Sequence, residues 1–433
     1  MPVVLRGPRF WLGSGLAIAL ALAGARARAD GPLRLEEAVA QALSTNERAA
    51  KSRLRVDVAD GQLDRARTAF FPTLAASGSG TVRPEADKSG RIGSTTTSLT
   101  LSQPILSASA FPQYAQARHQ LESEKWGAKQ DRRQLAYDAA RAFLQTLSAE
   151  HVADAAVRRL ERARANKDNA DARAATGLAS VNDATRAALD LTTAERDRVG
   201  AQASVTRAYL TLGFLIGHAV KPPLAAPERT TSAASGFESD VKDGARRALE
   251  RRADVISARE RTEASRASAD EPLFRLVPTV SAQAQLRVLP APLPTETTTD
   301  ETATLNLVWT IFDSGSRYAD RRTRLAQAES QALDESLLRR SVETDVATAM
   351  ASLKAARESL RFADEGVAAA VRNTDETEIL YKQGLARALE LTDANGRRFD
   401  AEVSRESAKL AMEQAYLDLR FALGLGPVDE DVP

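Results

Sequence analysis

The chain of 433 residues is one unit written twice. At a separation of about 206 to 207 residues, Phe71-Pro72-Thr73-Leu74 recurs as Val277-Pro278-Thr279-Val280, and Leu99, Leu101 and Ile105 recur as Leu305, Leu307 and Ile311. Further on, Asp138 meets Asp345, Gly177 meets Gly384, Ala194-Glu195 meets Ala401-Glu402, Ala208-Tyr209-Leu210 meets Ala415-Tyr416-Leu417, and Gly217 meets Gly424. The offset is constant from Asp138 to Gly217, which leaves no room for insertions. Whatever one half builds the other must build, so the duplication limits the architecture before any element is assigned.

Each half reads helix, strand pair, long helix, turn, helix. In the first half a helix is predicted from about Leu33 to Phe70, with Val39, Leu43, Ala50, Leu54 and Val58 spaced for one face, and Pro72 ends it. Leu74, Ala76, Gly78, Gly80 and Val82 then alternate with Ser77, Ser79 and Thr81. After a polar turn around Pro84 to Gly93, Leu99, Leu101 and Ile105 alternate with Thr100 and Ser102. The second half repeats this with Val280, Ala282, Ala284, Leu286 and Val288, a Pro-rich loop at Pro290 to Pro294, and Leu305, Leu307, Trp309 and Ile311 set against Thr304, Asn306 and Thr310. The result is two hairpins, four strands in all.

Each hairpin feeds a proline-free helical pattern, from about Gln113 to Gly177 and from about Arg317 to Gly384. At 1.5 Å per residue, roughly 65 residues make a rod on the order of 100 Å long. Val346, Leu353, Leu360 and Val367 recur every seven residues, with Met350 and Val371 in the alternate slot and Arg357 and Asp364 interrupting, which is a coiled-coil seam. Gly177 and Gly384 turn the chain, and return helices run to Gly217 and Gly424. The stretch from His218, rich in proline at Pro222, Pro223 and Pro227, links the halves. The domain reading is therefore a signal peptide over 1–29, a first repeat over 30–217, a linker over 218–238, a second repeat over 239–424 and a tail over 425–433.

The N-terminus sets the compartment. Arg6 and Arg9 precede an apolar run from Phe10 to Leu22, and Ala27-Arg28-Ala29 offers a small-x-small cleavage site before Asp30. The run is shorter than the ~20 apolar residues of a spanning helix, so it reads as a cleaved signal and not as an anchor. Cleavage removes four arginines and no acid, moving the formal charge from +1 to −3. That balance argues against a nucleic-acid partner. The absence of cysteine excludes disulfides, thiolate metal sites and a lipid-bearing N-terminal cysteine. No later segment can span a bilayer as a helix, so any insertion must use strands. Four strands cannot close alone, and an open edge in lipid leaves backbone groups unpaired at several kcal/mol each. Two copies would supply eight strands and three would supply twelve; either closes.

The ordered motifs resemble the TolC-like outer-membrane efflux proteins over nearly all of the mature chain. The resemblance rests on Leu35-Glu36-Glu37-Ala38-Val39 with Ala42-Leu43 and Asn46, on Phe71-Pro72-Thr73-Leu74, and on Trp309-Thr310-Ile311-Phe312-Asp313-Ser314-Gly315-Ser316-Arg317. It rests also on Tyr381-Lys382-Gln383-Gly384 through Glu390-Leu391-Thr392-Asp393-Ala394, and on Ala415-Tyr416 before Leu423-Gly424. It implies an α+β membrane protein: a homotrimer whose twelve strands form one barrel in the outer-membrane lipid, continued by a periplasmic tunnel of twelve helices. It also implies docking to a periplasmic adaptor and an inner-membrane transporter or secretion ATPase. Two positions depart from the family: Glu47 replaces the usual proline after Asn46, and Gln103-Pro104-Ile105-Leu106-Ser107-Ala108 lacks the Asp/Gly pair of the second-half motif.

Chemistry is otherwise sparse. His119, His151 and His218 fall in no metal-ligand spacing, no catalytic or phosphate-loop motif appears, and Gly78-Ser79-Gly80 sits inside a strand pattern. No enzyme activity, cofactor or metal is expected. The helical turns are where a partner can reach, so Thr176, Gly177, Leu178, Ala179 and Ser180, with Gln383, Gly384, Leu385 and Ala386, are candidate adaptor contacts. Just past them lie Asp183 and, one repeat on, Glu390, followed by Asp393 on the same helix face. By residue type alone these are a solvated helix face. The resemblance matches Asp183, Glu390 and Asp393 to the family's acidic gate and Tyr381 to its gate tyrosine; the family's gate arginine aligns with Ala386, with Arg387 one place later. The whole reads as a passive exit duct at the outer membrane. A periplasmic coiled-coil adaptor that never enters the membrane is the competing reading, and an envelope enzyme has only the export signal in its favour.

Overall fold

In a computed structural model of the chain, the described residues are 31–82, 84–85, 93–237, 240–288 and 299–428. The expected signal peptide lies outside them, as do most of the turn around Pro84 to Gly93, the whole loop at Pro290 to Pro294 and the end of the tail. The first repeat runs α1 (Leu35–Thr45), α2 (Glu47–Thr68), β1 (Thr73–Val82), β2 (Gly93–Leu106), α3 (Ala110–Ala175) and α4 (Val181–Ile216). α5 (Glu228–Gly236) follows, inside the stretch read as linker. The second repeat is α6 (Val241–Arg251), α7 (Ala253–Phe274), β3 (Thr279–Val288), β4 (Thr299–Val308), α8 (Ser316–Lys382) and α9 (Ala388–Ala422). The helices α3 and α8 have 66 and 67 residues, so the change of offset from 206 to 207 falls inside them.

The opening helix is broken, contrary to the single helix expected from its periodicity. Asn46 caps α2 by accepting from the Arg48 N–H at 2.9 Å while its amide donates to Leu215 O at 2.9 Å, so one buried side chain starts one helix and satisfies the end of α4. The break resets the helical phase. Ala49, Ser52, Ala59 and Leu63 become the buried face of α2, and Leu54 and Val58, expected on the same face as Val39, stand out at 62% and 61% exposure. The second repeat breaks at the equivalent place, where buried Arg252 pairs with Asp254 and Asp345.

Near the sheet the helices lie in the order α2–α3–α7–α8, and toward the far ends in the order α4–α3–α9–α8. Toward each end the helices thus form a single row, a wall with two lateral edges, and the short helices α1, α5 and α6 pack onto that row midway along. Its largest apolar clusters sit midway along, where α1, α3 and α4 pack around Tyr137, Phe143 and Ile216, and where α5, α6 and α9 pack on α8 around Val342, Val346 and Leu419. Val346 and Leu353 of the predicted seam are buried there, and Arg357 interrupts the heptad for a reason: its guanidinium donates to Ala234 O and Phe237 O, closing the end of α5. The edges are different in kind. α2 and α4 expose Leu54, Val58, Leu189, Val199, Leu210 and Phe214, and α8 exposes Leu333, Leu337 and Phe362.

The strands form one antiparallel sheet in the order β1-β2-β3-β4, so the two hairpins are joined through β2 and β3 and both outer strands are open. Register gives the faces. Leu74, Leu101, Ala284 and Ala303 stand in one row, with Ala282 and Leu305, and Val280 and Leu307, in neighbouring rows. The opposite face carries Ser77 against Ser98, with hydroxyls 2.9 Å apart, Gln285 against Thr100 at 3.3 Å and Asn306 against Gln283 at 3.3 Å. Ile105 was expected to continue the apolar alternation; instead the ladder skips it, pairing Pro104 with Ser281 and Leu106 with Val280. A strand proline is tolerated at such a bulge because no ladder donor is needed there. β4 stops at Val308, so Trp309 and Ile311 lie beyond it, not in it.

Candidate functional site

Two features can do work: the sheet, and the tips of the helical hairpins at the other end of the wall. The sheet has one hydrocarbon-compatible face and one face of hydroxyls and amides, and among the described residues no helix packs on either. Where it meets the helices, Phe71, Phe111, Trp309, Phe312 and Tyr318 are all more than half exposed, the composition of an aromatic girdle at a membrane interface. Asp313 fixes the exit of β4. It accepts from the N–H groups of Gly315 and Arg317 and from the Arg317 guanidinium at 2.9 Å, while Arg317, itself buried, also reaches Thr310 O. The first repeat lacks that aspartate and has instead a tilted aromatic contact, with Phe70 against Phe111 at 5.2 Å, and the Gln103 amide donating to Phe70 O.

The tips are alike in backbone. Gly177 and Gly384 take left-handed φ values of 74° and 80°, and the chain folds back so that Leu178 and Ala179 donate to Arg173 O while Leu385 and Ala386 donate to Leu380 O. Leu178 and Leu385 project at 74% and 73% exposure. Thr176, Ser180, Gln383 and Arg387 are also exposed, and Ala179 and Ala386 are partly covered.

The acidic candidates turn out to have local partners. Asp183 closes a capping box at the start of α4, exchanging hydrogen bonds with Ser180 through Oγ and the backbone N–H. Glu390 accepts from the Arg387 backbone N–H at 3.3 Å at the start of α9. Both carboxylates sit where the helix dipole favours negative charge. Asp393 pairs with Arg397 at 3.0 Å, and both side chains are exposed. Within one chain Glu390 and Asp393 share α9, whereas Asp183 lies on the other hairpin.

Tyr381 is 4% exposed, packed with Ala388 and Leu391. Its hydroxyl has no hydrogen-bond partner among the described residues. Arg173, which the sequence reading passed over, joins the two hairpins. Its guanidinium donates to Tyr381 O at 2.8 Å and lies 4.9 Å from the Tyr381 ring centroid, so a first-repeat cation caps the last turn of a second-repeat helix. An arginine four residues before the turn glycine was the available signal.

Two histidines also bridge the repeats. His119 lies 2.7 Å from Glu260 and His151 lies 2.9 Å from Glu406, each pair linking α3 to a second-repeat helix. The Glu406 hydrogen bond raises the His151 pKa against partial burial, and the same bond lowers that of Glu406; Lys409, Asp154 and Arg405 are the neighbouring charges. A raised histidine pKa stabilises below the ordinary value near 6.5 and is lost as pH rises through the folded value. The wild-type melting temperature is therefore expected to fall from about pH 6 to about pH 9 relative to His151→Gln, by a small amount because the pair is partly solvated. Parallel melting curves for the two proteins would refute this pairing. Among the described residues no group of His, Asp and Glu could hold a metal ion, and no helix is long and apolar enough to cross a membrane.

The arrangement of open sheet, wall and paired tips matches a known family. The model for "Outer membrane efflux protein" matches residues 38–218 and again 245–425. The chain belongs to the outer membrane efflux protein family. Its two matched segments are the two repeats, and the outer membrane is its place. Among solved structures similar to this efflux protein are a membrane protein from Pseudomonas aeruginosa (TM-score 0.80, 20% identity, 90% of this chain and 92% of that one) and the open state of the MtrE outer membrane channel of Neisseria gonorrhoeae (TM-score 0.77, 20% identity, 92% and 90%). The outer membrane protein VceC of Vibrio cholerae is also similar (TM-score 0.76, 17% identity, 90% and 96%). At those identities the likeness is one of fold. No curated protein sequence matches the chain significantly.

Proposed function

We propose that three copies of this efflux protein close a twelve-stranded barrel in the outer membrane and a twelve-helix tunnel beneath it, forming the passive exit duct of a tripartite export or type I secretion system. The observation that carries this is the sheet: four strands with one apolar and one polar face, open at both β1 and β4. In hydrocarbon those edges demand partners, and a head-to-tail contact that closes into a ring supplies them. The exposed apolar edges of α2, α4 and α8 are covered by the same closure. The adaptor-like coiled-coil reading leaves both sheet faces and both edges without an occupant.

The tips serve as the periplasmic gate and, through Thr176 to Ser180 and Gln383 to Ala386, as the contact for a periplasmic adaptor and inner-membrane transporter. Arg173 on Tyr381 holds the two hairpins of one copy together, and Asp183, Glu390 and Asp393 set three-fold rings of negative charge that favour cations. Arg387 extends from the tip beside them. A docking partner opens the duct only by binding the open arrangement better than the closed one. In planar bilayers, Arg173→Gln is expected to raise single-channel conductance several-fold, whereas Asp183→Ala with Glu390→Ala is expected to lower cation preference. Channels indistinguishable from wild type in both variants would remove the gate assignment, and absence of any channel in the wild type would remove the duct.

A further inference from the structure

We infer that the internal repeat sets the register in which β4 of one copy pairs with β1 of the next, an inference that rests on the barrel reading above. Inside the chain the seam between repeats is the pairing of β2 with β3. β4 is the repeat of β2 and β1 is the repeat of β3, each displaced by 206 residues in sequence. Strands that twist and stagger equally around a closed barrel make the seam between copies geometrically equivalent to the seam within one. The pair Leu99 and Leu286 then becomes Leu305 opposite Gly80 of the next copy, and Leu101 with Ala284 becomes Leu307 opposite Gly78. In the same way Gln103 with Ala282 becomes Trp309 opposite Ala76, and Leu106 with Val280 becomes Phe312 opposite Leu74.

Three features of the isolated chain fit this register. The sides agree, since Gly78 and Gly80 alternate with the hydroxyl face of β1 as Leu305 and Leu307 do in β4. The glycines have no explanation inside their own chain: a Cβ at Gly80 would meet nothing and one at Gly78 only Thr96 O at 4.0 Å. Across the seam they lie against leucines left 67% and 63% exposed, where a large residue faces a small one. Finally, the alternation of β4 runs past its last paired residue, Val308. The register gives Trp309 and Phe312 partners and makes Ile311 the bulged residue, the counterpart of Ile105. Trp309, Ile311 and Phe312 are 55%, 74% and 82% exposed because the strand they pair with belongs to another copy.

The chain has no cysteine, so introduced pairs report cleanly. Two doubly substituted proteins, Gly78→Cys with Leu307→Cys and Ser79→Cys with Asn306→Cys, sample the two alternating pair geometries of an antiparallel ladder, one of which suits a disulfide. Within one chain β1 and β4 are three strand spacings apart, about 14 Å, so a disulfide can form only between copies. After oxidation in outer-membrane fractions, at least one pair is expected to shift the protein from one-chain to three-chain mass on non-reducing gels, while Gly78→Cys with Leu305→Cys, two residues out of step, stays at one-chain mass. Cross-linking by the offset pair in place of the others would overturn the register. So would its absence in all three while the detergent-extracted protein still holds three copies. A protein that is a single chain in detergent would instead bring down the barrel itself.

Discussion

Arginine in place of Leu305 is expected to abolish assembly into the outer membrane, while arginine at the adjacent Thr304 is expected to leave it intact. Leu305 stands on the apolar face near the middle of β4 and Thr304 on the face of hydroxyls and amides. A cationic side chain facing lipid near the bilayer midplane costs about 2–4 kcal/mol, and three copies carry it three times, so the penalty approaches the total stability of an ordinary domain. The same cation facing a wet lumen keeps its hydration. The measurement is the fraction of each variant that requires detergent for extraction. Equal assembly of the two variants would show that the faces are wrongly assigned, and loss of Thr304→Arg alone would show them reversed.

The second large effect is expected midway along the wall, where Arg133→Ala should lower the melting temperature of the helical part by several degrees or more. Arg133 is 7% exposed and lies in the first repeat, yet its guanidinium donates to Leu425 O at 2.9 Å and to Phe421 O, and stacks on the Phe421 ring at 4.6 Å. Tyr137 adds a hydrogen bond to the same Leu425 O, and the burial of its ring pushes the phenol to a pKa above the ordinary tyrosine range. Removing the arginine leaves Leu425 O with the Tyr137 hydroxyl and Phe421 O with the Gly424 N–H, but it forfeits hydrogen bonds from a charged donor, worth roughly 1.5–3 kcal/mol each, and the favourable cation at a helix C-terminus. Arg133→Met, which keeps the stem but not the donors, separates packing from hydrogen bonding: it should be nearly as unstable as Arg133→Ala. Helical circular dichroism melts unchanged by either substitution would mean that the two repeats are held elsewhere.

Much of this architecture was legible because duplication repeats each signal. The strands, both long rods and both glycine turns follow from alternation, absence of proline and matched glycines. The break at Asn46 was not legible from the apolar spacing around it. Val39 and Leu54 lie on one ideal helix, and only the capping of Asn46 onto Arg48 and Leu215, a tertiary contact, breaks it and turns Leu54 and Val58 outward. Likewise Arg357 reads as a flaw in a heptad until the end of α5 is seen beneath it. At the tips, the pattern located the turns but not the link between them, because Arg173 and Tyr381 are distant in sequence and belong to different repeats. The acidic residues show this most plainly: by resemblance Asp183 and Glu390 match an acidic gate, and each also has a capping role at the start of its own helix.

The most direct test of the central claim is the number of chains in the detergent-extracted particle, read by native mass spectrometry. Each chain brings four strands and two open edges, so three chains, with no one-chain or two-chain population of comparable size, is the expected result. A particle of one chain, or release of the protein from membranes by salt alone, would contradict it.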